Sequence, residues 1–277
     1  MTGDRHAPTL ASPSNPRIMS AARLRDRRER DATGLTLVDG AREVRRALDA
    51  GVEVVEAFIC ESLLAGEDAR AVIDALSAGR SPVTSTTEVA IAKLAFGDRS
   101  EGIVAVIRPP SRSLAGLALP DDPLVVVVEG VEKPGNVGAV LRSADGAGAD
   151  AVIAANPRTD LANPNVIRAS AGTYFSVPTV AARTAETIAW LRAQGLRMVS
   201  ARVDGAAEYS EADLTGPLAL VLGSEAEGLT DAWHAPDIEA IRIPMLGAAD
   251  SLNISVSAAI LLYESRRQRG RHANRGD

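Results

Sequence analysis

Three glycine-containing loops, each following a predicted strand, hold the residues best placed to do chemistry. They span 130–138, 223–228 and 244–251. In open parallel sheets, ligands bind beyond the carboxyl ends of the strands. One such loop is more often an ordinary tight turn. Three of them with this composition predict a single small-molecule site.

Familiar nucleotide-binding and hydrolytic motifs do not explain these loops. The spacing of Gly130 and Gly135 is that of a phosphate-binding loop, but Asn136 and Val137 stand where that motif needs a lysine and a hydroxyl residue. Dinucleotide-binding letters recur at 146–151, but between a helix and the next strand, which is the wrong context. No loop has the flanking glycines of a serine hydrolase elbow, and no Cys/His cluster has metal-ligand spacing. The sequence therefore predicts neither a catalytic triad nor a metal site.

The elements that must position the loops follow from the apolar pattern. Short apolar strands such as LVVVVEG and PLALVLG alternate with amphipathic helices. This alternation predicts an α/β fold with a mostly parallel sheet that is covered on both faces. The predicted organisation is a flexible N-terminus (1–16), a smaller α/β domain (17–108), a proline-rich linker (109–123), a larger α/β domain (124–268) and a basic tail (269–277).

Composition limits the classes of protein that fit. The 277 residues suit one large domain or two ordinary ones, and 46% of them are hydrophobic, which is enough for a packed core. The net charge of −6 argues against a protein that coats nucleic acid over its whole surface. The single cysteine, Cys60, fits a reducing compartment, and no secretory signal or membrane-length apolar run is visible. We therefore expect a cytoplasmic protein without a membrane partner.

One segment near the N-terminus is strongly basic. The stretch 17–34 carries six arginines and a narrow apolar stripe, which predicts one basic helix. Such a helix is the best electrostatic footprint for phosphate contact in this chain, although a solvated amphipathic helix has the same pattern. Its arginines are Arg17, Arg23, Arg25, Arg27, Arg28 and Arg30.

Three longer stretches resemble a known family. They are KPGNVGAVLRSADGAGADAVI, LALVLGSEAEGL and IRIPMLGAADSLNISVSAAILLYE. In order and spacing they are similar to the motifs of the SpoU (TrmH-type) RNA ribose 2′-O-methyltransferases of the SPOUT superfamily, over about 124–268. The N-terminal half resembles the substrate-binding extension of that family, a fold like some ribosomal RNA-binding proteins. Asp39-Gly40 stands where many relatives have Glu-Gly.

The resemblance implies a fold, a reaction and partners. The implied fold is a parallel sheet with a deep C-terminal trefoil knot, preceded by the smaller RNA-binding domain. The implied reaction transfers a methyl group from S-adenosylmethionine to a ribose 2′-hydroxyl of a structured RNA. Ribosomal RNA is preferred because the N-terminal extension looks like that of the rRNA-directed members. The family also implies a homodimer with the active site near its interface.

The resemblance also assigns residues. The arginine of the first motif belongs to the family's catalytic centre and matches Arg142. The other polar residues assigned to that centre are Asn136, Glu225, Ser251 and Asn253. Gly223, Ile243 and Leu252 match cofactor-contact positions, and the neighbours assigned to the same pocket are Leu222, Met245 and Gly247.

The chemistry of these side chains leaves several roles open. A free arginine is essentially always protonated, so Arg142 is better suited to clamp a phosphate or stabilise a developing alkoxide than to accept a proton. It could also be an exposed helical arginine or the partner of Glu225. Asn136 could contact RNA, fix its loop or simply occupy a turn. Ser251 could also cap the last helix. One stripe of that helix is predicted to be core or dimer interface; its residues are Leu252, Val256, Ala259, Ile260 and Tyr263.

Alternative functions remain open at the level of sequence. The same fold could methylate tRNA, or bind RNA without methylating it. An ordinary doubly wound nucleotide-binding enzyme without a knot is a third alternative, and the failed nucleotide motifs count against it. The few aromatic residues argue against extensive base stacking, so we expect recognition of RNA shape and backbone.

Overall fold

A computed structural model of the chain describes residues 9–79, 81–96, 101–224 and 227–273. For residues 271–273 only the backbone is described. The chain forms two compact units, and the boundary between them is not a single cut. The first unit runs to Ser111 and also contains Ala162–Ser176, and the second contains Arg112–Leu161 and the chain from Val177 onward. The segment 162–176 thus belongs with the first unit, although the sequence pattern alone runs the second domain without interruption from 124 to 268.

The elements are numbered in chain order. The helices are α1 (Pro16–Arg23), α2 (Arg27–Thr33), α3 (Ala41–Asp49), α4 (Gly66–Ala78), α5 (Glu88–Ala92), α6 (Pro134–Ala147), α7 (Pro164–Ala169), α8 (Thr173–Ser176), α9 (Thr184–Ala193) and α10 (Ile254–Ala273). The strands are β1 (Thr36–Asp39), β2 (Val54–Ile59), β3 (Val83–Ser85), β4 (Ile103–Ile107), β5 (Leu124–Glu129), β6 (Ala151–Ala155), β7 (Thr179–Ala182), β8 (Arg197–Ala201), β9 (Ala207–Glu208), β10 (Leu218–Leu222) and β11 (Ile238–Arg242).

The first unit is built on a mixed sheet of order β1-β4-β2-β3. Strand β4 is antiparallel to β1 and β2, and β3 runs parallel to β2. Every residue of β4 is buried, and Phe58 of β2 packs with Ile18 of α1 and Ile91 of α5 in one core. Thr87 caps α5 by accepting a hydrogen bond from the backbone N–H of Ala90. The smaller α/β domain predicted from the sequence is therefore present.

Segment 162–176 is tied to the first unit by polar contacts. The Thr36 hydroxyl donates to the carbonyl of Ala162 at 2.6 Å, and Arg46 donates to the carbonyl of Ala171 at 2.8 Å. Arg168 forms an ion pair with the buried carboxylate of Asp39. The sequence predicts one helix here, but Ala171 (φ 55°) and Gly172 (φ 82°) take left-handed conformations that separate α7 from α8.

The second unit is an α/β layer with a wholly parallel sheet of order β7-β6-β5-β10-β8-β11-β9. All residues of β5, β6 and β10 are buried, as expected for strands with both faces covered. One part of the core joins Val125, Val221 and Met198 to Leu191 of α9 and Trp233. The predicted α/β fold with a parallel sheet is thus confirmed.

The last helix, α10, packs against α6 and buries a face different from the predicted stripe. Its buried residues are Ile254, Ala258, Leu261, Leu262 and Ser265. The predicted stripe lies on another side of the helix, where Val256 is 46% and Tyr263 54% exposed. The interpretation of this stripe as protein core is therefore wrong for this chain.

Both ends of the described chain differ from the prediction. Residues 9–16, expected to be loose, include Leu10, whose N–H donates to the Ser85 carbonyl at 2.8 Å. The predicted basic tail begins inside α10, where Arg269 donates to the carbonyls of Asp122 (3.0 Å) and Pro123 (3.2 Å). No helix within the described ranges combines the length and the apolar character that spanning a membrane requires.

Candidate active site

A cavity of about 580 Å³ opens at the carboxyl-terminal side of the sheet in the second unit. Its walls come from the loops after β8, β10 and β11 and from the start of α10. Leu222, Gly223, Ile243, Met245 and Leu252 line it, as does Ser251. These include five of the six residues predicted to contact the cofactor; the sixth, Gly247, is not among the lining residues.

Close backbone packing explains the glycine at the end of β10. A Cβ atom on Gly223 would lie 2.2 Å from the carbonyl carbon of Gly228 and 2.4 Å from the amide nitrogen of Leu229. The loop folds back on itself, and the Gly228 N–H donates to the Ser224 carbonyl at 2.9 Å. Gly223 therefore lets Gly228 and Leu229 form one wall of the cavity.

The loop after β8 depends on a second close approach, which the motif analysis missed. A Cβ atom on Gly205 would lie 2.4 Å from the carbonyl carbon of Ile241. The same loop places Arg202 and Asp204 on the cavity wall, joined by a hydrogen bond of 2.9 Å from the guanidinium to the carboxylate. This bond holds the pKa of Asp204 below its usual value. The position of this loop beyond a strand's carboxyl end is the signal that could have identified it.

Acidic groups dominate the charged part of the lining. Asp204, Glu227 and Asp250 line the cavity, together with the cation Arg202. Arg158 donates to Glu227 at 2.6 Å and holds the pKa of that carboxyl below its usual value. The cavity is therefore an apolar pocket with a partly acidic rim, which suits a ligand with a positive centre.

Asn136 and Asn253 lie together, although 117 positions separate them in the sequence. The Asn253 amide donates to the Asn136 side-chain oxygen at 3.2 Å. Asn253 also caps α10, because its side-chain oxygen accepts from the Ser255 N–H at 2.9 Å and from the Ser255 hydroxyl at 2.6 Å. The proposed capping role of Ser251 is thus wrong: Ser251 precedes the cap and lies exposed at the cavity.

Arg142 is exposed on α6, and its guanidinium forms no hydrogen bond or ion pair within the described part of the chain. It lies six positions after Asn136, which places the two Cα atoms about 9 Å apart along the helix axis and roughly 120° apart around it. The structure therefore brings Asn136 to Asn253 but leaves Arg142 on a neighbouring surface. Glu225, the remaining predicted catalytic residue, lies outside the described residues.

The predicted basic helix in the first unit is two helices. α1 ends at Arg23, Asp26 caps α2 by accepting from the Arg28 N–H at 2.9 Å, and the two helices meet at a turn. Arg30 holds this turn: its side chain donates to the carbonyls of Leu24 at 2.9 Å and Arg25 at 2.8 Å. With Arg30 only 5% exposed, its assignment as an RNA contact is corrected to a structural role.

The other five arginines of this segment are exposed but differently engaged. Arg17 donates to Thr84 at 2.7 Å and pairs with Glu56, and Arg25 lies 4.6 Å from the ring centre of Phe96. The other three are Arg23, Arg27 and Arg28. Arg23 and Arg27 form long ion pairs at 3.6 Å with acids of α2, and the Arg28 side chain has no polar partner within the described residues.

Comparison with known proteins agrees with this architecture. The SpoU rRNA Methylase family matches residues 123–263, and the MRM3-like substrate binding domain matches residues 15–105. The chain is 30% identical to the 23S rRNA (adenosine(1067)-2'-O)-methyltransferase of Streptomyces azureus over 269 residues, covering 96% of this chain and 98% of that protein.

Solved structures show the same similarity. An RNA 2'-O ribose methyltransferase superposes with a TM-score of 0.83 at 42% identity, over 94% of this chain and 99% of that one. An AdoMet-bound rRNA methyltransferase from Sinorhizobium meliloti superposes with a TM-score of 0.85 at 28% identity, over 94% and 97% of the two chains. With both halves matched in sequence and structure, the chain belongs to the SpoU rRNA methylase family.

Proposed function

We propose that this protein transfers a methyl group from S-adenosylmethionine to a ribose 2′-hydroxyl of a structured ribosomal RNA. One observation carries the proposal: the cavity of about 580 Å³ adjoins the start of α10, where the bonded pair Asn136–Asn253 lies. The matched relatives include a 23S rRNA methyltransferase and an rRNA methyltransferase, and this supports ribosomal RNA as the substrate.

The cavity fits the cofactor in size and chemistry. Its volume lies within the range of small-molecule pockets. Ile243, Met245 and Leu252 offer apolar contacts for an adenine ring. Asp204 and Asp250 complement a sulfonium cation. When bound, the cofactor supplies an electrophilic methyl group.

Arg142 would act on the RNA. It is exposed on α6 and uncommitted within the described residues, so its planar guanidinium is available to hold a phosphate through two hydrogen bonds. At about 9 Å along the helix from Asn136, it would grip the backbone beside the target ribose. From there it also stabilises negative charge that develops on the 2′-oxygen.

Asn136 and Asn253 would orient the ribose. Their hydrogen bond joins the first turn of α6 to the cap of α10, so two rigid helices fix both amides. The exposed residue Ser251 lines the same cavity. These groups place hydrogen-bond donors and acceptors around the hydroxyl, and correct alignment of oxygen, methyl and sulfur lowers the barrier.

The partner RNA would approach the first unit through α1 and α2. Arg23, Arg27 and Arg28 supply the exposed positive charge there, in a chain whose net charge is −6. Phosphate contacts of this kind contribute affinity without reading sequence. The target nucleotide would then be selected by RNA shape at the cavity.

Assembly, topology and location extend the proposal. The exposed Val256 and Tyr263 on α10 fit a second copy of the chain, so we propose a homodimer.

A C-terminal trefoil knot, implied by the family, fits the order in which β10 lies between β5 and β8. Methylation of ribosomal RNA would place the protein in the cytoplasm.

The test is transfer of labelled methyl from S-adenosylmethionine to total RNA of a strain that lacks this protein. Wild type, Arg142→Ala and Arg142→Lys are compared, with Arg70→Ala as an exposed helical arginine outside the site. We expect one alkali-resistant ribose in rRNA and a loss of about 100-fold in Arg142→Ala. Lysine should restore less than a tenth of the rate, because it cannot form the bidentate clamp.

The other outcomes are equally informative. Label in tRNA would keep the reaction and overturn the substrate. Near-normal turnover of Arg142→Lys would refute the clamp. Cofactor binding without label in any RNA would show a non-catalytic RNA-binding protein with this fold.

A further inference from the structure

Glu129, the last residue of β5, is a carboxylate buried to 2% exposure, which none of the roles above explains. A buried carboxylate is costly unless hydrogen-bond donors satisfy it. Here Oε1 accepts from the hydroxyls of Thr184 at 2.5 Å and Thr230 at 3.0 Å. Oε2 accepts from the backbone N–H of Thr230 at 2.8 Å.

These donors connect Glu129 to the cavity wall. Gly223, Gly228 and Leu229 line the cavity, and Thr230 directly follows Leu229. The loop is held at one point by the backbone bond from Gly228 to Ser224, at 2.9 Å, and at its end by the two bonds from Thr230 to Glu129. Without the second attachment, the wall formed by Gly228 and Leu229 is fixed at only one of these points.

Glu129 also begins the path to the catalytic helix. The next residue, Gly130, has a left-handed φ of 64°, and its N–H donates to the Ala155 carbonyl at 2.9 Å. A Cβ atom on Gly130 would lie 3.7 Å from the Cβ of Ser224, so the two loops touch. The chain then enters α6, which carries Asn136 and Arg142.

We infer that Glu129 is a positioning residue: it fixes the segment 227–230 as part of the wall of the cofactor cavity, against the loop that leads to α6. This inference rests on the proposed binding of S-adenosylmethionine. Glu129 contacts neither reacting group in this assignment and acts through Thr230.

The test compares Glu129→Ala with Glu129→Gln in the full-length protein. Glutamine can keep the geometry: its oxygen accepts from the Thr230 N–H while its NH₂ donates to the two threonine hydroxyls, which can rotate to accept. Alanine leaves the Thr230 N–H without its acceptor. Ser265→Ala is the matched control, since it removes another buried hydrogen bond, from Ser265 to the Leu214 carbonyl at 2.7 Å, away from the cavity.

Affinity for S-adenosylmethionine is measured by calorimetry without RNA. We expect Glu129→Ala to bind at least tenfold more weakly, and Glu129→Gln and Ser265→Ala to bind within threefold of wild type. Unchanged affinity of Glu129→Ala, or equal weakening by glutamine and alanine, overturns the inference. If Glu129→Ala does not fold, Thr230→Val replaces it in the test. This variant keeps the hydrogen bond from the residue 230 N–H to Glu129 and loses the one from the hydroxyl, so S-adenosylmethionine should bind two- to fivefold more weakly. Unchanged affinity would again overturn the inference.

A second readout separates this inference from the proposed function. Hydrogen exchange of the Thr230 amide should be faster in Glu129→Ala than in Glu129→Gln, with no ligand present. If wild type does not bind the cofactor, the proposed function fails, while this exchange still decides whether Glu129 holds the loop. Equal exchange in both variants refutes the positioning role.

Discussion

Replacing Gly223 by alanine should damage the cofactor cavity specifically. The added Cβ would lie 2.2 Å from the Gly228 carbonyl carbon, whereas carbon atoms in contact prefer about 3.5 Å. The backbone at Gly228 must therefore retreat by more than about 1 Å. The obstructing atoms are backbone, so no side-chain rotation relieves the clash.

The size of the effect follows from this displacement. Overpacking costs about 1–3 kcal/mol, and a clash with backbone belongs at the upper end of that range. If the displaced wall costs about 3 kcal/mol in binding, affinity for S-adenosylmethionine falls by roughly 100-fold. A displacement of this size at a reactive site also lowers turnover by a similar factor.

The assay is calorimetric titration of Gly223→Ala with S-adenosylmethionine, combined with thermal unfolding. Gly270→Ala on α10 is the control, because its added Cβ meets no atom within 4 Å. It should bind normally and gain up to about 1 kcal/mol of helix stability. Binding of Gly223→Ala within threefold of wild type would refute the close approach as the reason for this glycine.

Three further expectations test the positions of individual side chains. In Asn253→Ser the serine still caps α10 but cannot reach Asn136. The rate of methyl transfer should therefore fall about tenfold, while the thermal unfolding midpoint stays unchanged. A lower midpoint with full activity would show that Asn253 acts only as a cap. Burial raises the pKa of Asp39 to about 6 despite its ion pair, so its protonated form stabilises the fold below pH 3.8 and that stability is lost as pH rises through 6. The free energy of unfolding of wild type minus that of Asp39→Asn should therefore fall by about 2.4 kcal/mol between pH 4 and 7 in denaturant titrations, and a flat difference contradicts it. Arg28→Ala should weaken RNA binding and lower its salt dependence without changing stability, as measured by filter binding at two salt concentrations. Arg30→Ala should instead lower the free energy of unfolding by about 1–3 kcal/mol, as measured by thermal unfolding. Weaker RNA binding in Arg30→Ala at unchanged stability, or lower stability in Arg28→Ala, would contradict these roles.

Much of the second unit is predictable from sequence because local pattern and burial agree. Strands such as β5 and β10 are continuous apolar runs, and parallel strands covered on both faces require such runs. The loops with the family motifs follow these strands. Five of the six predicted cofactor positions line one cavity for that reason.

The sequence can mark a loop after a strand as a candidate, but which loops meet at one cavity depends on contacts between distant residues. Arg202 and Asp204 reach the cavity because β8 pairs with β10, its neighbour in the sheet but not in the chain. The arginine-rich segment keeps helical periodicity across the turn between α1 and α2. The side-chain bonds of Arg30 to two carbonyls at that turn have no local signal.

The grouping of 162–176 with the first unit has a consequence for biosynthesis. Asp39 and Arg46 leave the ribosome well before their partners Arg168 and Ala171, and β5 and β6 of the second unit are made in between. In turn, β5 must wait for β10 to fill the place beside it. The first unit can therefore complete its folding only after β5 and β6 of the second unit have left the ribosome, and the second unit waits longer still, for β10 and α10.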